Sequence, residues 1–196
     1  MSFIDQILEE GLTAFGKIQL QVSPPKVTAA DCRAIMARAK PGMVVCRKFN
    51  SYLDGRFIPG EFTHSGIVET PDMMIHAVAE GVGRIDILDF VKDADGFILL
   101  SPSAGHYKPE DAVNYARQQI GKPYDFKFNV ENGPVTAFFC HELSAMSIAA
   151  GGIKISPIIK YVGAVAHEVY LADQFILDPR ITTVYRTHIR ELILPN

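Results

Sequence analysis

Three side chains in this chain are of the types that nucleophilic acyl transfer needs. Cys140 stands in Phe138-Phe139-Cys140-His141-Glu142-Leu143, where an alanine-rich helical stretch begins. A thiol at a helix N-terminus has its thiolate form favoured by the helix dipole. A working thiol also needs a base within hydrogen-bond reach and a third group that orients the base. Two histidines are candidates: His64 opens His-Ser-Gly-Ile-Val, and His76 follows 12 residues later in Met-Met-Ile-His-Ala. An even separation across a short turn lets both side chains share one face of a hairpin. Glu69 is the rival third residue, but its odd separation from His64 points it to the opposite face of the strand. Cys32 and Cys46 have no partner motif and read as inert thiols.

The elements that must position these groups are legible from local pattern. Phe3, Ile4, Ile7, Leu8, Leu12 and Phe15 recur at helical spacing, so residues 2–16 read as an amphipathic helix. Thr28 and Asp31 form a capping-box pattern ahead of a helix over Ala29–Lys40, which Pro41-Gly42 ends. Met43–Phe49 is apolar and β-prone, residues 50–61 suit an irregular loop, and His64–Glu69 with Met73–Val78 reads as a hairpin around Thr70-Pro71-Asp72. Val82–Ile85 adds a third strand, Leu88–Lys92 a helical turn and Gly96–Ser101 a further strand. Lys108–Ile120 reads as a helix with Pro109 in its first turn and Gly121 past its end. Phe139–Ala150 is the helix of the thiol, stopped by Gly151-Gly152, and Ile181–Arg186 is a last strand, while 153–178 carries no clear pattern. The expected class is α+β, a small, mainly antiparallel sheet or barrel with helices on one side and against the cysteine helix. Residues 1–40 are expected to be a helical extension packed on a main domain of 41–196.

The order of motifs from about Pro41 to about Gly152 resembles the permuted papain-like amidases. These are circularly permuted relatives of the NlpC-type cell-wall peptidases, in a superfamily shared with the lecithin–retinol acyltransferase group. Pro41-Gly42-Met43-Val44-Val45 is similar to that family's opening Pro-Gly-Asp-Ile-Leu strand. Thr63-His64-Ser65-Gly66-Ile67-Val68 is similar to its Ser-His-Val-Gly-Ile-Tyr, and Met74-Ile75-His76-Ala77 to its Val-Ile-Glu-Ala or Val-Ile-His-Ala strand. Gly121-Lys122-Pro123-Tyr124-Asp125 and Phe139-Cys140-His141-Glu142-Leu143 resemble its Gly-x-Pro-Tyr-Asp and Tyr-Cys-Ser-Glu-Leu segments. Histidine precedes cysteine here, the reverse of papain and the mark of the permuted branch.

The resemblance implies a permuted papain-like fold with Cys140 as nucleophile, His64 as general base and His76 as the group orienting His64. It implies no metal and no cofactor. Tyr124, His141 and Ser65 are the expected substrate-binding residues, with Tyr124 as a second oxyanion donor beside the Cys140 N–H, and His141 on the rim of the site. Two departures stand out. His76 occupies a position where the permuted amidases often carry glutamate, and His141 replaces the usual serine. The expected reaction is amide hydrolysis through a thioester, on a peptide, cell-wall peptide or lipid-linked amide. Acyl transfer to an alcohol or amine with the same nucleophile is the alternative, and a binding module that kept the fold without catalysis is the third reading. Phe57, Phe62, Phe126 and Phe128 are candidates to line an apolar groove, although aromatics near strands are usually core. Two histidines and a thiolate are also a zinc ligand set, but no Cys-x-x-Cys or His-Glu-x-x-His spacing accompanies them.

Composition sets the remaining bounds. With 196 residues, 48% hydrophobic and 21% charged, the chain can bury a full core without staples. Its net charge of −3 provides no basic excess to neutralise a phosphate backbone, so nucleic acid is not an expected partner. Three cysteines make no disulfide framework. The N-terminus carries Asp5, Glu9 and Glu10 rather than a basic start and an apolar run, and no stretch approaches the ~20 apolar residues of a membrane span. A cytoplasmic location is therefore the expectation. Oligomeric state has no signature in the sequence.

Overall fold

The computed structural model describes residues 26–49, 60–128, 130, 135–162 and 165–187. The expected helix over 2–16, most of the 50–61 loop and Phe57 lie outside these. Helix α1 (Ala29–Arg38) starts at the Thr28–Asp31 capping box: Asp31 N donates to Thr28 Oγ1 at 3.2 Å and Thr28 N donates to Asp31 Oδ2 at 2.8 Å. The Pro41-Gly42 turn follows. Gly42 has φ +82°, and a Cβ there would lie 2.7 Å from Pro109 Cβ, so both backbone angle and space call for glycine.

The strands are β1 (Val44–Lys48), β2 (His64–Val68), β3 (Met73–Val78), β4 (Gly81–Asp86), β5 (Gly96–Pro102) and, last in the chain, β8 (Ile181–Arg186). Together they form one open antiparallel sheet in the order β4-β3-β2-β1-β5-β8. Helix α2 (Ile87–Val91) follows β4, α3 (Pro109–Gln119) follows β5, and α4 (Cys140–Ala150) follows the Tyr124 segment. The stretch without clear pattern holds a separate hairpin, β6 (Ile158–Val162) with β7 (Val165–Val169), and the short helix α5 (Ala172–Leu177).

Helices cover both faces of the sheet, not one side as the pattern suggested. Val44, Cys46, Ile67, Ile75, Ala77, Ile98 and Leu100 share a core with Val113 and Ala116 of α3 and Leu143 and Ile148 of α4. Val45, Val68, Met74, Phe97 and Leu99 point the other way and pack with Ile35 of α1 and Ile87, Phe90 and Val91 of α2. The central strands are therefore apolar on both faces, which explains the unbroken runs Met43–Cys46 and Phe97–Leu100. The catalytic candidates lie on the adjacent strands β2 and β3 and at the start of α4. Among the described residues, no helix is long and apolar enough to cross a membrane.

Candidate active site

Cys140 is the first residue of α4 and is only 1% exposed. The Tyr124 segment is held beside it by backbone pairing: Tyr124 bridges Phe138, Phe138 N donates to Pro123 O at 3.1 Å, and Asp125 N donates to Phe138 O at 3.1 Å. On its other side, the sulfur meets the beginning of β2, with Cys140 Sγ 3.9 Å from the Thr63 carbonyl oxygen. Burial pushes the Cys140 thiol up to about 11. The backbone N–H groups of Ser65, His141 and Cys140 and the Tyr124 hydroxyl oppose that shift by donating to the thiolate form. The thiol thus sits in a ring of donors, but too deep to be ionised in the resting state at neutral pH.

His64 and His76 stand together as the hairpin predicted. His64 Nε2 is 3.1 Å from His76 Nδ1, and the β2–β3 register sets Gly66 opposite His76. Both rings surround Phe90 of α2, with His64 stacked on it at 5.3 Å between centroids and His76 edge-on at 5.7 Å. Arg47, directly across β1 from His64, lies 4.1 Å from the Phe90 centroid and donates to the Phe90 carbonyl at 2.5 Å. Burial, with Arg47, His76 and His141 adding to it, holds His64 well below the usual histidine range. His76 is 6% exposed and pushed down to about 4, by burial first and Arg47 second. Both rings are therefore neutral at neutral pH. Gly66 keeps this arrangement open, because a Cβ there would lie 2.9 Å from Ile75 O and 3.1 Å from His76 Cβ. Gly66→Ala is expected to displace His76 from His64 and lower kcat about tenfold or more through misorientation of the base. Steady-state kinetics check this, and an unchanged kcat contradicts it.

The other sequence candidates divide cleanly. Tyr124 reaches the sulfur with its hydroxyl and packs edge-on to Phe126 and Phe128 at 5.0 and 5.9 Å. Phe62 is 1% exposed and belongs to the core, whereas Phe126 and Phe128 are half-buried and flank Tyr124. Glu69 does not compete for the base. It accepts from Arg84 Nε at 2.6 Å, Arg84 Nη2 at 2.8 Å and Arg117 Nε at 2.7 Å, and the arginines hold its carboxyl down to about 2.

His141 is not on the rim. It is 1% exposed, with Nδ1 2.8 Å from Ser65 Oγ, and Ser65 is fully buried. Cys46 is fully buried, its thiol raised by burial with Cys140 and Asp173 adding, and Cys32 is half-buried on α1. Among the described residues, no group of three or more His, Cys, Asp or Glu side chains is placed to hold a metal ion. Three contributors lacked a sequence signal of their own: Thr63, Phe90 and Ser144. Arg47, a charge inside an apolar strand, was the detectable one.

Comparison with known proteins supplies the family. The model of the permuted papain-like amidase enzymes, the YaeF/YiiX or C92 family, matches residues 38–185. The chain belongs to the permuted papain-like amidase family. No curated protein matches the sequence. A solved structure described as the metalloprotein yiiX from Escherichia coli O157:H7 shares the fold, with a TM-score of 0.62 at 14% identity, over 76% of this chain and 97% of that one. The fold is the permuted papain-like one, with its antiparallel sheet open rather than closed into a barrel. Family membership makes this a papain-like amidase, an enzyme of hydrolase type.

Proposed function

We propose that this amidase is a cysteine hydrolase that cleaves an amide through a thioester on Cys140. The observation that carries the reading is the start of β2. Thr63 and Ser65 both contact the Cys140 sulfur, and His64 between them is paired with His76 at 3.1 Å. His64 commits Nε2 to His76, leaving Nδ1 for the thiol proton. A base that takes a proton at Nδ1 needs its Nε2–H aimed at an acceptor, and His76 Nδ1 is that acceptor.

Because thiol and imidazole are both neutral at rest, proton transfer accompanies attack rather than preceding it. As the sulfur bonds to the carbonyl carbon, its proton passes to His64 Nδ1 and the carbonyl oxygen gains the negative charge. The Cys140 N–H and the Tyr124 hydroxyl are the donors for that oxyanion. Imidazolium His64 then protonates the leaving amine as the C–N bond breaks, leaving the thioester. Water, deprotonated by His64, attacks the thioester and releases the acid and the thiol.

Cys140→Ala and Cys140→Ser are expected to abolish amide turnover, while wild type releases acid and amine in equal amounts. Turnover retained in either variant contradicts the reading. Tyr124→Phe is expected to lower kcat by about 10²-fold, the usual cost of one oxyanion donor, with KM little changed. A change confined to KM assigns Tyr124 to binding instead. The half-buried aromatic pair Phe126 and Phe128 beside Tyr124 favours a substrate with an apolar acyl portion, and limits water near the sulfur. That same shielding favours the second reading, acyl transfer to an alcohol or amine. Product analysis with and without an added acceptor separates the two.

A further inference from the structure

Beneath the nucleophile lies a buried polar cluster that hydrolysis does not use. Ser65 Oγ stands 2.8 Å from His141 Nδ1, 2.8 Å from Ser144 Oγ and 3.3 Å from the Cys140 carbonyl oxygen. Ser144 Oγ also donates to the Cys140 carbonyl at 3.2 Å. Ser65 and Ser144 are 0% exposed and His141 is 1% exposed. Phe175 closes the far side, with ring centroids 6.2 Å from His141. These polar side chains join β2 to the first turn of α4.

Their place in the chain gives the cluster its meaning. Ser65 follows the base His64 and His141 follows the nucleophile Cys140. A bond between the two followers fixes one register between the strand that carries His64 and the helix that starts at Cys140. Ser144, one turn along α4, ties the same hydroxyl to the Cys140 carbonyl, so the helix start neither slides along nor rotates against the strand. A serine at position 141, the residue in the resembled pattern, is too short to span the gap that an imidazole fills.

The geometry points to a latch: His141, Ser65 and Ser144 are positioning residues that hold the nucleophile helix in register with the base strand. This rests on the cysteine-hydrolase reading for its purpose, but it is testable without a substrate. The bond to Ser65 runs through His141 Nδ1. Asparagine places its amide where Nδ1 stands and can keep the bond to Ser65 Oγ, whereas leucine fills the space and makes no bond.

The test measures the alkylation rate of Cys140 by iodoacetamide across pH, together with denaturant unfolding, for wild type, Ser65→Ala, His141→Leu, His141→Asn and the double variant Ser65→Ala/His141→Leu. Alkylation is expected to slow about tenfold in Ser65→Ala and His141→Leu, with its alkaline rise moved to higher pH as the thiolate loses the Ser65 and His141 N–H donors, and to recover to within about threefold of wild type in His141→Asn. The double variant is expected to be no worse than either single one, because both remove the same bond. Rates in all variants equal to wild type, or additive losses in the double variant, overturn the latch. So do variants that lose stability while the alkylation rate and its pH profile stay put, since that is a structural role only. The ratio of variant to wild-type rates judges the latch; turnover in Cys140→Ala judges the hydrolase reading, so one can fail without the other.

Discussion

His64→Ala is expected to lower kcat on the order of 10³-fold, within the range that a positioned general base contributes. The physical reason is the neutral resting site. Burial holds the Cys140 thiol up at about 11, so few molecules carry a thiolate at neutral pH without a base to take the proton. His76→Ala is expected to cost less, about 10²-fold, because it removes only the acceptor that orients Nε2 of His64. His76→Gln, which retains an acceptor, is expected to fall between His76→Ala and wild type. Equal losses in all three variants contradict separate roles for base and orienter. The acid limb of kcat/KM follows from the same burial. His64 acts while neutral, and its pKa is held well below 6.5, so activity persists below the pH at which an ordinary histidine base protonates. A limb centred at 6.5 or above contradicts the buried setting.

Acid is expected to destabilise the fold through the same rings. His76 and His141 are both pushed from 6.5 down to about 4 by burial. The unfolded chain therefore binds a proton at each site in the window between 6.5 and 4 while the folded chain does not. Stability is fully present above 6.5 and is lost as pH falls through that window. The full shift amounts to on the order of 3 kcal/mol per histidine. Denaturant titrations at about pH 7, 5.5 and 4.5 read it as a falling midpoint. His141→Asn is expected to remove one share of the loss, since asparagine does not titrate. A flat midpoint across the window contradicts the burial of these rings. Glu69 adds nothing until lower pH, because its two arginines hold it near 2.

The pairing of His64 with His76 was more legible in sequence than the layers that surround it. Joining the three residues into one candidate site rested on the motif order of the resembled family, while even spacing across a turn marked a shared face for His64 and His76 and an alanine-rich run marked Cys140 as a helix start. Both signals are local. The bounds of β8 and the Pro109 start of α3 were equally local. The β6–β7 hairpin and α5 were not, because each is only five or six residues long and too short to show a period. The second layer of helices was hidden for a related reason. Helix α2 has five residues, and the strands it covers are apolar on both faces, so no alternation marks the covered side.

His141 was misplaced to the rim because sequence shows only that position 141 projects about 100° from Cys140 around the helix. Which way that points depends on how α4 lies on β2, and Ser65, small and polar, is what receives it. Phe90 could not be assigned to the dyad from sequence at all, since its contact with His64 spans the two layers.

In the proposed mechanism one imidazole makes one sulfur reactive. The direct measurement is reaction of the native protein with an electrophilic acyl probe, followed by peptide mass mapping of wild type and His64→Ala. A single acyl adduct is expected on Cys140 in wild type, formed far more slowly in His64→Ala, with Cys32 and Cys46 unmodified. An adduct on Cys32 or Cys46 in place of Cys140, or labelling of Cys140 at the same rate without His64, would contradict it.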